Sequence, residues 1–237
     1  VDFAGYLEQV REQTDALRAA ASAAGPDADV PTCPGWTVRR LVGHIARVQA
    51  RTTLAVTGGG AAPEAPRPPS DWDELTRWWA AATDRMIDAL LAAGPDGPAW
   101  TFLPAGVVPA SWWARRQAHE AAVHRLDAEG AGGRPVPTLL FDGAFAADGI
   151  DELLGLLVAA GRPTGADGRV LVHAADVGRA WLVEVENGAP TRVGPVDGAA
   201  VNTDASVVGT ADAVYRAVWG RPSGAVVRGD VSAIRSP

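Results

Sequence analysis

Apolar residues recur at helical spacing through the first two thirds of the chain and alternate one-on, one-off near its end. Phe3, Tyr6, Leu7, Val10, Leu17 and Ala21 form one stripe closed by Gly25-Pro26, which predicts a helix over 2–24. Pro34-Gly35 reads as a turn and Thr37 as an N-cap. Val38, Leu41, Val42, Ile45, Val48 and Val56 then predict a helix over 38–56, stopped at Gly58 to Gly60, with His44 at the edge of its buried stripe. The Pro-rich run 61–69 is a connection. Ser70 and Asp73 resemble a capping signal for a third helix that reaches Ala93, with Leu75, Trp79, Ala82, Met86 and Leu90 inward. A turn-rich stretch over 94–110 leads to Ser111, the expected cap of a fourth helix over 112–130, ended by Gly130, Gly132 and Gly133. A fifth helix over 143–160 carries Ile150, Leu153, Leu154, Leu157 and Val158 inward.

Beyond "AAGRPTGADG" the period changes. "RVLVHAAD", "RAWLVEVENG" and "AVNTDASVVG" read as short strands punctuated by Gly or Asn-Gly, "TADAVYRAVWG" as a helix and "AVVRG" as a last short strand. The fold class expected is therefore mainly α over 1–165, followed by a small α/β unit over 166–237 that is too short to be very stable unless docked on the first.

Composition narrows the function. With 47% hydrophobic residues the 237-residue chain can build a real core. Its net charge is -7, and its 21 basic residues are all Arg, scattered without a block; this argues against a nucleic-acid partner, which needs a clustered basic surface. The absence of Lys beside abundant Ala, Gly, Arg and Val suggests a GC-rich genome. A single cysteine, Cys33, makes no intramolecular disulfide and no thiolate cage, so the chain suits a reducing cytoplasm and any metal must use His and carboxylate ligands. No apolar run reaches membrane-spanning length and the N-terminus is too charged for a signal peptide, so a cytoplasmic protein with no membrane partner is expected.

The candidate chemistry lies in "QAHEAAVHRLDAEG", residues 117–130. On a helix Glu120 and His124 are about 40° apart, with Trp113, Gln117 and Asp127 within about 60° of Glu120 and Arg115, Arg125 and Glu129 opposite. Flanking Trp112, Val123, Ala121 and Ala128 centre the packed face on Glu120 and His124. Buried ionisable groups need a partner, and a metal is one. His44 on the second helix is the obvious third ligand, and two His with one Glu favour zinc, with Fe or Ni as alternatives. The competing reading is an ordinary i, i+4 salt-bridged pair. His119, about 140° from His124, is expected at the core edge or surface, His173 is structural in its strand, and Cys33 is a packed small residue. The nine Trp are mainly core, with Trp113 placed to line a pocket beside the site.

"CPGWTVRRLVGHIARV", "WWARRQAHEAAVHRLDAEGA", "FAADGIDELLGLLV", "GTADAVYRAVWGR" and "VVRGD", in this order, resemble the mycothiol-dependent maleylpyruvate isomerase family. The resemblance implies a DinB-like helical bundle followed by a sterol-carrier-like α/β domain. It implies metal ligation by His44, Glu120 and His124, and mycothiol, the small thiol of actinobacteria, as thiol cofactor or co-substrate. It also implies a catalytic arginine in the C-terminal part, best matched by Arg221, whose competing role is pairing or capping at a helix end. The expected activity is thiol addition to a small-molecule electrophile, ending in isomerisation or in S-transfer. The alternative is a non-catalytic metal- or thiol-binding regulatory protein.

Overall fold

Asp2 accepts the Gly5 amide at 2.8 Å and starts α1 (Phe3–Ala24), and Asp71 accepts the Glu74 amide at 2.9 Å and starts α3 (Trp72–Ala93). The cap of α3 is thus Asp71, between the Ser70 and Asp73 that the pattern suggested. Thr37 occupies the N-cap position of α2 (Val38–Thr57) without a side-chain hydrogen bond. The computed structural model describes residues 1–58, 60, 62–160, 167–196 and 202–234. The chain divides into two units, Val1–Val136 and Pro137–Pro237.

In the first unit the stretch before the fourth helix is a short hairpin, β1 (Pro98–Trp100) paired antiparallel with β2 (Val107–Pro109). β2 runs straight into α4 (Ala110–Glu129). Ser111 does not cap this helix: Pro109 is at the N-cap, and the first free amides are taken by backbone, Ala110 by the Gly97 carbonyl at 2.8 Å and Ser111 by Pro95 at 3.0 Å. The closest helix pairs are α1 with α4 and α2 with α3, and α2 also meets α4. Leu17, Val38, Leu41, Ile45, Leu75, Trp79 and Ala128 form one buried cluster across all four helices. Alanines at 114, 118, 121, 122 and 128 leave α4 narrow, and nearly its whole circumference is buried.

Gln49 joins three of the helices. Its Oε1 accepts the Trp79 indole N–H at 2.9 Å and the Thr83 hydroxyl at 2.7 Å, and its Nε2 donates to Thr14 Oγ1 at 3.3 Å. Gln49 and Thr14 are fully buried, so this bond set is shielded from water.

The second unit starts earlier than the periodicity suggested, at Pro137 rather than near residue 166, because α5 (Gly143–Ala160) packs on α6 (Ala211–Val218) and β5 (Ala189–Pro195). Asp151 of α5 accepts from the Trp181 indole at 2.5 Å, and Trp219 donates to the Gly149 carbonyl at 3.2 Å. A helical period alone cannot say which neighbour a helix will choose. The sheet has the order β5, β4 (Arg179–Glu186), β3 (Gly168–Ala174), β6 (Ala205–Gly209), β7 (Val226–Arg228), antiparallel except for β3 with β6. Asn187 and Gly188, with φ of 53° and 73°, form the two-residue turn from β4 into β5, a strand the pattern did not single out. Of the expected strand over 200–209, residues 200 and 201 lie outside the described residues, 202–204 are not strand, and the strand itself starts at Ala205. Buried Asp212 on α6 accepts the Leu140 and Phe141 amides at 3.1 Å each, while Arg216 bonds Asp212 at 3.1 Å and the Pro137 carbonyl at 2.9 Å. That clasp fixes the start of the unit on α6. No described helix is long and apolar enough to cross a membrane.

Replacing Gln49 by Leu strands the buried Trp79 indole N–H, whereas the Thr83 hydroxyl keeps the Trp79 carbonyl at 3.0 Å. Urea unfolding of Gln49→Leu should show a loss of about 2 kcal/mol. Adding Trp79→Phe to it should cost less than the sum of the two single changes, because the stranded donor is gone.

Candidate metal centre

The turn between α1 and α2 sets the edge of the site. Trp36 N–H bonds the Cys33 carbonyl at 2.9 Å across Pro34-Gly35, and Gly35 has a φ of +76° that a type II turn requires at this position. The turn brings Thr32 and Cys33 to Asp127, and Trp36 to the His44 ring at a centroid distance of 5.2 Å.

Helical spacing on α4 lays Arg116, Glu120, His124 and Asp127 along one side, and α2 brings His44 to them. Glu120 Oε1 is 3.2 Å from His44 Nε2 and 3.4 Å from His124 Nε2. Glu120 Oε2 accepts from Arg116 Nη2 at 2.8 Å. On the far side of the His124 ring, Nδ1 is 2.8 Å from Asp127 Oδ2, and Asp127 Oδ1 accepts the Thr32 hydroxyl at 2.5 Å. Asp127 is fully buried, so the proton between the two belongs on His124 Nδ1, which aims Nε2 at Glu120. The His44 side chain keeps 36% exposure against 19% for Glu120 and 11% for His124, so the cluster opens to solvent on the His44 side.

The donor set suits a divalent cation. One ligand atom from each of His44, Glu120 and His124 lies within 4.8 Å of the others. At bond lengths of about 2.1 Å, the ligands of a tetrahedral ion stand about 3.4 Å apart, close to the two spacings found around Glu120 Oε1. Asp127 behind His124 supplies the outer carboxylate that commonly orients a metal-binding imidazole.

Electrostatics make the cluster a charged one. Burial alone would raise the Glu120 carboxyl, but hydrogen bonds from His124 and His44 and the Arg116 charge outweigh it and hold the group well below the usual carboxylate range. Burial opposes charge on His124 too, yet Asp127 and Glu120 push its pKa up to about 9.

Arg221 is in the second unit just past α6, its side chain bonded to the Trp219 carbonyl at 2.6 Å. His119 is fully buried, not at the core edge or surface, because α4 is packed on almost every side. His173 is in β3, as read from the alternation. Cys33 is half-buried with its thiol 3.6 Å from Asp127 Oδ2, beside the cluster. Arg116 and Thr32 were missed. An Arg four residues before a Glu was a readable signal for the first, while Thr32 is brought in by the turn and left no periodic trace.

Residues 7–129 match the family model described as the mycothiol maleylpyruvate isomerase N-terminal domain, a segment that contains all of His44, Glu120 and His124 and excludes Arg221. The whole fold is similar to the crystal structure of a mycothiol-dependent maleylpyruvate isomerase, with a TM-score of 0.64 at 15% identity, covering 100% of this chain and 95% of that one. A histidine-to-alanine mutant of a mycothiol-dependent maleylpyruvate isomerase is similar to the same degree, with a TM-score of 0.64, 14% identity and the same coverage. No curated protein matches the chain by sequence.

In the metal-free protein His124 holds its proton to about pH 9, and a cation can take Nε2 only by displacing a proton from the ring. Metal affinity measured by competition titration should therefore rise about tenfold per pH unit between about pH 6.5 and 9. A flat profile would exclude His124 as a ligand. The sign is opposite for the metal-free fold: the raised His124 pKa contributes stability that is full below about pH 6.5 and lost as pH rises through about 9. Asp127→Asn should weaken metal binding roughly 10- to 100-fold while leaving the three ligands in place.

Proposed function

Because the chain belongs to the family defined by the mycothiol maleylpyruvate isomerase N-terminal domain, we propose that it is a mycothiol-dependent metalloenzyme acting on a small electrophile, with His44, Glu120 and His124 as ligands of a divalent metal, zinc suiting them best. The convergence of these three donors inside the family-matched segment is the observation that carries this reading. The finer architecture that goes with it is a DinB-like bundle and a sterol-carrier-like second unit, in a cytoplasmic protein.

A bound divalent cation would supply the positive charge that lets a thiol ionise near neutral pH and so become nucleophilic. The protein's own groups prepare for this. Arg116 occupies Glu120 Oε2 and leaves Oε1 directed at the two imidazoles. Asp127 fixes the His124 ring, and the more exposed His44 edge is where a thiol ligand enters. Thiolate addition to an activated double bond forms a carbon–sulfur bond and turns the double bond into a single one. The displaced electron pair rests on the activating carbonyl as an enolate: rotation and return of the pair expel the thiolate and give an isomer, whereas uptake of a proton from water at the enolate carbon keeps the sulfur and gives S-transfer. The ligands serve both outcomes. Arg221 is assigned the carboxylate of an acidic electrophile, by a bidentate contact.

The purified protein should contain about one equivalent of divalent metal, lost in His44→Ala and in Glu120→Ala. Turnover of maleylpyruvate or of a panel of electrophiles, followed by mass spectrometry, should require both mycothiol and metal and fall roughly a hundredfold or more on chelation. Metal retained in both variants would end the ligand assignment. A metal-loaded protein that binds no mycothiol would instead be a non-catalytic, metal-binding regulator.

A further inference from the structure

A groove of about 430 Å³ opens beside His44, within the first unit, and its wall is basic. Arg39, Arg40, His44 and Arg47 line it together with Trp36, and no Asp or Glu is among the lining residues. In a chain of net charge -7 this runs against the overall balance. Arg39 is already engaged, with Asp27 at 3.3 Å and the Ser70 carbonyl at 3.3 Å. Arg40 and Arg47 have no carboxylate partner among the described residues.

Their placement on α2 is not arbitrary. Positions 40, 44 and 47 are i, i+4 and i+7, within about 60° of one another on the helix, so one arginine stands a turn before His44 and one a turn after. Arg40 is also held in place. Its guanidinium lies 4.9 Å from the centre of the Trp36 ring, Trp36 is 5.2 Å from His44, and His44 is 5.0 Å from His124. A series of ring contacts, tilted between Trp36 and His44 and edge-on between His44 and His124, therefore runs from the Arg40 guanidinium to the candidate metal centre. Stacking restricts the arginine while leaving its N–H fork open, which favours binding of a planar or tetrahedral oxyanion.

We infer that Arg40 and Arg47 form an oxyanion subsite in the groove beside His44, taking a carboxylate or phosphate group of the molecule that reacts at the His44–Glu120–His124 centre. The subsite has all its residues in the first unit. Its place in a reaction rests on the proposed function, but its capacity to bind an anion does not.

The test uses the full-length, metal-stripped and dialysed protein, with succinate and inorganic phosphate as separate probes in calorimetric titrations at low salt. At least one probe should bind, more weakly as salt rises. Arg40→Ala and Arg47→Ala should each weaken it about tenfold or more. Arg85→Ala, the same charge change on a residue that does not line the groove, should leave it within about twofold. Preference for succinate or for phosphate assigns the group the subsite takes. The inference is overturned if wild type binds neither probe, if the two variants bind as wild type does, or if Arg85→Ala loses as much. It is equally overturned if the double variant also loses its metal on reloading, since the arginines would then merely prop His44. Anion binding that persists in a protein without mycothiol-dependent turnover would refute the proposed function and leave the subsite standing.

Discussion

A carboxylate removed from water destabilises the fold by several kcal/mol unless it is paired and fully hydrogen-bonded, and Glu120 meets that demand from three directions. Arg116 takes one oxygen, and His44 and His124 share the other. Each partner imposes something further. Arg116 must be buried on the same helix, His124 must be locked by Asp127, Asp127 must itself be satisfied by Thr32, and Thr32 must be delivered by the Pro34-Gly35 turn. The site is thus one chain of dependencies that begins at a single acid, and its outer links are ordinary hydrogen bonds.

Much of this was readable in the residues. The five longest helices fell within a residue or two of their expected spans, because apolar periodicity and Gly or Pro stops agree along them. The inward direction of Glu120 and His124 followed from their phase against Val123, Ala121 and Ala128. Other features were not accessible by such means. Gly97 and Pro95 carbonyls stand in for the expected Ser111 cap because a hairpin precedes α4, and a hairpin of two three-residue strands has too short an alternation to register. The full burial of His119 depends on how many neighbouring elements close around α4, which the pattern along α4 alone does not carry. The affiliation of α5 is of the same kind: its apolar stripe was legible, but the choice of α6 and β5 as its partners was not.

The family match and the local geometry bear on different matters. The match covers residues 7–129 and places the chain in a family, while the likeness to solved structures at 15% and 14% identity speaks to the fold. The distances among His44, Glu120 and His124, the outer carboxylate behind His124 and the basic groove are read from this chain itself. The groove matters because His44 belongs both to it and to the donor cluster, so an anion bound along α2 would lie against the candidate metal centre.

The two closest helix pairs, α1 with α4 and α2 with α3, meet across a seam, and the donor cluster straddles it, with Glu120 and His124 on one bank and His44 on the other. Gln49 crosses the same seam deeper in the core, from α2 to Thr14 of α1. A cation gripped by all three donors would act as a rivet between the banks. Occupancy and cohesion would then be one thermodynamic quantity: separating the pairs releases the ion, and loading the ion suppresses their separation.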